Sequence, residues 1–134
     1  MIEFDYVKGD GTPDIPVIRI SLRIGTKKIG GQAIVDTGFD GGIYPNSILA
    51  GFLLGLRPVG REFLEGVSGE VECDVFELDA ELFYPSEGAK KSIGTAKIYL
   101  PLDKENLTQD VVVGREILNN LDIRLNGKVV RIYD

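Results

Sequence analysis

Histidine and tryptophan are absent from this chain, and cysteine and methionine occur once each. Without histidine there is no Ser-His-Asp or Cys-His catalysis. With a single thiol there is also no zinc site of the Cys/His kind. Acid–base chemistry in this chain must run on carboxylates, lysine or tyrosine. The lone Cys73 makes no intrachain disulfide, so nothing points to an oxidising compartment. It alternates with Val71 and Val75, which reads as a core thiol rather than a nucleophile. Long apolar runs are missing too. The longest, "ILAGFLLGL" at 48–56, falls well short of the roughly 20 residues that span a bilayer. The N-terminal "MIEFDYVKGDG" has no basic region followed by an apolar stretch, so no signal peptide is expected. Positive charge is sparse: the net charge is −6, and the densest basic spots are the pairs Lys27-Lys28 and Lys90-Lys91. That argues against nucleic acid or an anionic membrane as partner, and the acidic balance reads as solubility. The expectation is a soluble, cytoplasmic protein.

What is present is an ordinary globular composition over 134 residues, with 43 % hydrophobic and 27 % charged. That suits a single domain, 1–134, with a modest core. Ile2, Phe4 and Tyr6 alternate and suggest a short terminal strand. "PVIRISLRI" puts Ile18, Ile20, Leu22 and Ile24 on one face, a period of two. "GTKK" turns the chain and "IGGQAIV" returns it as the second arm of a hairpin that ends at Asp36. In "YPNSILAGFLLGLRP", Asn46 or Ser47 caps a helix whose buried face is Ile48, Leu49, Phe52, Leu53 and Leu56, with Pro58 ending it. Strand patterns flank "EGVSGE", and the apolar parity switches after Val75, predicting a bulge near Val75–Phe76. Tyr84 to Ser92 reads as a loop, followed by a strand in "IGTAKIYLPL" and a loop in "KENLTQ". Val111 to Val113 is a short strand broken by Gly114, and Arg115 to Leu121 makes one or two helical turns. Asn126-Gly127 marks a last hairpin. Many short strands and one or two brief helices predict a mostly β, barrel-like domain.

The chemistry concentrates in "AIVDTGFDGG", 33–42. An apolar strand delivers a single carboxylate, Asp36, followed by a hydroxyl, Thr37, and a glycine, Gly38. A buried charge is costly unless it is paired or used. The plain alternative is a turn aspartate bonded to its own loop, since Asp-x-Gly is common in turns. Rival motifs fail on particular residues. A calcium loop starting at Asp36 meets Gly38 at its third position and Ser47 at its twelfth. A dehalogenase-type phosphatase wants a second Asp where Gly38 stands, and a P-type ATPase wants Lys where Thr37 stands. No Gly-x-x-x-x-Gly-Lys phosphate loop occurs.

Three further segments stand in order around the triplet. "ILAGFLLGL" follows it, "EGVSGE" lies about thirty residues on, and "VVVGREIL" comes near the end. Together with "AIVDTG" they resemble the retropepsin-like single-domain aspartic proteases over roughly Pro16 to Tyr133. The resemblance implies a retropepsin-like acid-protease barrel with one or two short helices. It implies Asp36 as the catalytic aspartate and Thr37 and Gly38 as its support. Gly66, Val67, Ser68 and Gly69 would be the flap tip that closes over substrate. Phe39 and Asp40, next on the loop, would touch substrate. Phe39 stands where many members carry a small residue, so its ring either narrows the groove or packs beneath it. Arg115 reads as one half of a surface ion pair.

Such an enzyme hydrolyses peptides with two carboxylates sharing one proton. One takes a proton from water and the other polarises the scissile carbonyl. This chain has a single Asp-Thr-Gly. The expectation is therefore a twofold homodimer that brings two copies of Asp36 together. Protein or peptide substrate would bind extended, as an added strand. No metal or organic cofactor is needed, and the coupled pair implies a mildly acid optimum. A different class remains open: a catalytically silent retropepsin-fold binding or dimerisation module.

Overall fold

The computed structural model describes residues 1–66, 69–84 and 89–134. The alternation in "VIRISLRI" builds strand β2 (Val17–Ile24), with Ile18, Ile20 and Leu22 buried. Gly25 takes a positive φ of 63° at the turn. The chain returns as β3 (Lys27–Val35), paired antiparallel from Val17↔Ile34 to Ile24↔Lys27. This is the hairpin that the sequence pattern predicted.

Strands β4 (Ile43–Tyr44), β5 (Gly60–Gly66), β6 (Gly69–Tyr84), β7 (Ala89–Pro101) and β8 (Val111–Val113) extend the sheet. Its order is β2-β3-β8-β4-β7-β6-β5. Pairing of β2 with β6, at Ile20↔Leu82, Ser21↔Glu81 and Leu22↔Ala80, joins the sheet to itself. The result among the described residues is a closed barrel of six strands, with β5 attached outside through β6. Ile18, Ile43, Leu82, Ile98 and Val113 fill its interior with no exposed surface. A smaller antiparallel sheet, β1 (Ile2–Asp5), β10 (Val129–Tyr133) and β9 (Asp122–Leu125), packs Ile2, Phe4, Val130 and Ile132 onto the same core. Chain start and chain end thus pair with each other within one chain. The Asn126 carboxamide accepts the Lys128 and Val129 amides at 2.9 and 2.8 Å, closing the final hairpin at Gly127. The fold is mostly β with two short helices, α1 (Ser47–Leu53) and α2 (Arg115–Leu118). No helix among the described residues is long and apolar enough to cross a membrane.

Four sequence expectations need correction. Helix α1 is capped by Asn46, whose side chain accepts the Leu49 amide at 2.9 Å. It ends before Leu56, because the chain turns at Gly55 with φ 88°. It buries only the i, i+4 pair Leu49 and Leu53, while Ile48 (71 %) and Phe52 (51 %) stay exposed. Those two residues border an apolar cleft of about 240 Å³ whose wall includes Gly30 and Gly31 of β3. The parity switch at Val75–Phe76 is real in burial but involves no bulge. Val75↔Tyr99 and Phe76↔Ile98 stay in register, and the irregularity falls at Ala80/Glu81. Both faces are buried at 75–76 because β6 passes there from one cluster to another. Cys73 and Val75 pack in a small outer cluster, and Phe76, Ala80 and Leu82 in the barrel. Of the loop expected over Tyr84 to Ser92, Tyr84 belongs to β6 and residues 89–92 to β7, while 85–88 lie outside the described residues. In "KENLTQ", Lys104–Asn106 form a 3-10 turn capped by the Asp103 carboxylate.

Candidate active site

β8 lies between β3, its parallel neighbour, and β4, its antiparallel neighbour. The segment 36–42 therefore has to cross over the end of β8 to get from β3 to β4. Asp36 begins the crossing, with its amide donating to the Val113 carbonyl at 3.0 Å. The chain then reverses on itself. The Gly38 amide donates to Oδ1 of Asp36 at 2.9 Å, and the Phe39 amide to the Asp36 carbonyl at 3.2 Å. This is the side-chain turn that an Asp-x-Gly sequence favours. It fixes the carboxylate's direction through Oδ1, and among the described residues no hydrogen bond reaches Oδ2. Asp36, Thr37 and Gly38 are exposed in the single chain. Among the described residues no cation pairs with Asp36.

Below the crossing, β8 ends at Gly114 and α2 begins. The first amides of a helix have no partners inside it. Here the loop supplies them. Gly114 donates to the Gly42 carbonyl (2.8 Å), Arg115 to Phe39 (2.9 Å) and Glu116 to Gly41 (3.2 Å). The approach demands glycine: a Cβ at Gly114 would lie 2.4 Å from the Gly41 oxygen, and one at Gly42 would lie 2.5 Å from the Lys97 oxygen. The segment "VVVGREIL" thus holds the loop that carries Asp36.

Phe39 turns its ring under the loop. It is half-buried and meets Tyr44 and Tyr99 edge-on, at centroid distances of 5.9 and 6.4 Å. The ring also lies against Gly41 and Gly114, where a Cβ would come 2.6 Å from Cζ and 2.5 Å from Cδ2 of Phe39. The Asp40 carboxylate pairs with the Arg115 guanidinium, and both side chains are exposed. Gly66 and Gly69 face each other at the end of the β5–β6 hairpin, where Gly69 has φ 121°. Val67 and Ser68 lie outside the described residues. The described part of the β5–β6 hairpin ends at its two glycines.

Sequence reading missed two residues here. Tyr99 on β7 is 3 % exposed, and its hydroxyl donates toward both oxygens of Glu116 on α2, at 2.9 and 2.8 Å. Burial first, then the Glu116 hydrogen bond and charge, hold this hydroxyl far above the ordinary tyrosine range. Nothing in the linear pattern links a tyrosine in "AKIYLPL" to a glutamate 17 residues on. Among the described residues, no group of three or more acidic or thiol side chains forms a cation cage.

The chain matches no family model and no curated protein.

Proposed function

We propose that the chain is an aspartic endopeptidase of retropepsin-like fold that works as a homodimer, with Asp36 from each copy. The observation that carries the reading is the placement of Asp36. Its carboxylate sits at a strand end, is oriented by the Gly38 amide, and is otherwise unpartnered among the described residues. A carboxylate built only to close a turn needs no second layer of bracing. This one stands on a loop pinned by three amides from α2. A twofold axis beside it would bring two such carboxylates together. Burial between the copies would then force them to share a proton. Thr37, exposed beside Asp36, would meet its counterpart across the axis. The β5–β6 hairpin would cover an extended peptide bound as a strand.

The test combines mass in solution with one substitution. Sedimentation at pH 5 and pH 7 should show a dimer at micromolar concentration. That dimer should cleave members of a peptide library and bind a statine-type transition-state mimic. Asp36→Asn should keep the dimer and lose both cleavage and mimic binding. Retained cleavage in Asp36→Asn would sink the assignment.

One observation favours a second reading. β10 is held between β1 and β9 within one chain, so neither of its hydrogen-bonding edges is left to pair with a second copy. On that reading the protein is a catalytically silent module of the same fold. A monomer at all concentrations, with no mimic binding, would select it.

A further inference from the structure

The hydroxyl of Tyr99, buried against Phe39 in the loop that carries Asp36, is not needed to fill that space. A phenylalanine would fill the same space against Phe39 without bringing a polar atom into the interior. A buried hydroxyl costs free energy unless it finds an acceptor. Tyr99 finds one in Glu116, at 2.8 and 2.9 Å, rather than in its own strand. A bond to an ionised acceptor is among the stronger kinds.

Where the pair lies gives it a role. A Cβ at Gly41 would come 3.0 Å from the Tyr99 ring, and one at Gly42 would come 3.2 Å from Oε1 of Glu116. The two side chains therefore lie directly against the Gly41-Gly42 backbone. The amide of the same Glu116 donates to the Gly41 carbonyl. Glu116 thus grips the loop through its backbone and is itself gripped, through its side chain, by β7. The loop runs without interruption from there to Asp36.

We propose that Tyr99 and Glu116 form a positioning clamp: their hydrogen bond ties α2 to the barrel wall and so holds the loop that carries Asp36. Neither residue touches substrate. The role rests on the protease reading, where a small displacement of the reacting group has a large effect on rate. The clamp itself is a statement about the loop and can be judged without activity.

The experiment uses the full chain and four variants: Y99F, E116A, E116Q and the double variant Y99F/E116A. Glu116 is exposed, so its variants leave the core packing in place. Amide hydrogen exchange is read at Gly38, Gly114, Arg115 and Glu116, and peptide cleavage is measured beside it. Loss of one hydrogen bond to a charged group should speed exchange in Y99F and E116A by about tenfold. Cleavage should show kcat lower by about tenfold with KM within about twofold, the pattern of a lost positioning contact. E116Q keeps an acceptor oxygen and should restore both readouts. Because the two residues act through one bond, the double variant should be no worse than the worse single one. Unchanged exchange in Y99F and E116A overturns the clamp, as does a double variant whose loss is the product of the single losses. Should the wild-type chain cleave no peptide, the protease reading falls, and exchange alone then upholds or overturns the clamp.

Discussion

Gly114 stands against Phe39 with no room for a methyl group. A Cβ there would lie 2.5 Å from Cδ2 of the Phe39 ring and 2.6 Å from the Phe39 carbonyl oxygen. The backbone at Gly114 has φ −114°, which any residue adopts, so the demand for glycine is one of space. Gly114→Ala has to push the loop away from α2 and break the amide contacts to Phe39, Gly41 and Gly42. The expected cost is about 1–3 kcal/mol of stability, the range for overpacking. Urea unfolding measures it, and a cost under about 0.5 kcal/mol, the ordinary size of a surface substitution, would contradict the packing described.

Phe39 supplies the other side of that contact. Its ring stacks edge-on against Tyr44 and Tyr99 in a cluster with Cys73 and Val75. Phe39→Ala removes a half-buried ring and should cost about 2 kcal/mol, below the range for a fully buried one. Phe39→Leu keeps apolar volume under the loop and should cost about 1 kcal/mol. On the protease reading, with the ring packed against Tyr44 and Tyr99, Phe39→Leu should leave the KM for bulky peptides close to the wild-type value. A marked fall in that KM would show that the ring had been narrowing the groove.

Much of this arrangement could be read from the linear sequence, and for local reasons. The alternation of Ile18, Ile20 and Leu22 with polar residues, and the turn at Gly25, specify the hairpin that ends at Asp36. Asp36 and Gly38 are two residues apart, so their hydrogen bond is written in the sequence. Ion pairing of Arg115 was legible in type but not in partner, because Asp40 is brought to it only by the crossing over β8. The clamp of Tyr99 and Glu116 was not legible at all. It depends on β7 and α2 meeting across the barrel wall, a contact that no short-range pattern encodes. Helix α1 misled for a related reason. Its apolar spacing suits a wide buried face, yet the barrel offers only a narrow seat for Leu49 and Leu53. Which of several apolar residues becomes core is decided by the surface that receives them.

The Asp40–Arg115 pair separates stability from binding. With side chains 71 % and 48 % exposed, it belongs among surface ion pairs. Such pairs contribute up to about 1 kcal/mol and are weakened further by salt. Asp40→Asn should therefore lower stability by less than about 1 kcal/mol, with the difference shrinking in high salt. On the protease reading Asp40 also faces the peptide, so KM should rise while kcat stays within about twofold. Steady-state kinetics beside urea unfolding separates the two effects. A large stability loss with unchanged KM would assign Asp40 to structure alone.

Two neighbouring groups in the Phe39 cluster, the buried Cys73 and the half-buried Tyr44, give the protein a defined response to alkali. Burial above all, then the charges of Asp74 and Glu72, push the Cys73 thiol up to about 11 from an ordinary value of 9.0. Burial, followed by the nearness of Cys73, pushes the Tyr44 hydroxyl up to about 12 from 10.0. In both cases the unfolded chain releases its proton at lower pH than the folded one. Between the two values the folded state holds protons that the unfolded state has lost, so stability falls as pH rises. The fall should begin near pH 8, where the unfolded thiol starts to ionise, with Cys73, and continue toward pH 12 with Tyr44 and Tyr99. Well below pH 8 all three groups are protonated in either state and contribute no slope. Cys73→Ala should remove the first part of the fall and leave the second, as read from urea midpoints taken at intervals across this range. At pH 8 the folded thiol should be ionised in only about one molecule in a thousand. With Cys73 fully buried as well, a disulfide reagent should label it at the rate of unfolding. Rapid labelling of the native protein would show that the cluster under the Asp36 loop opens to solvent, and would remove the support on which the loop rests.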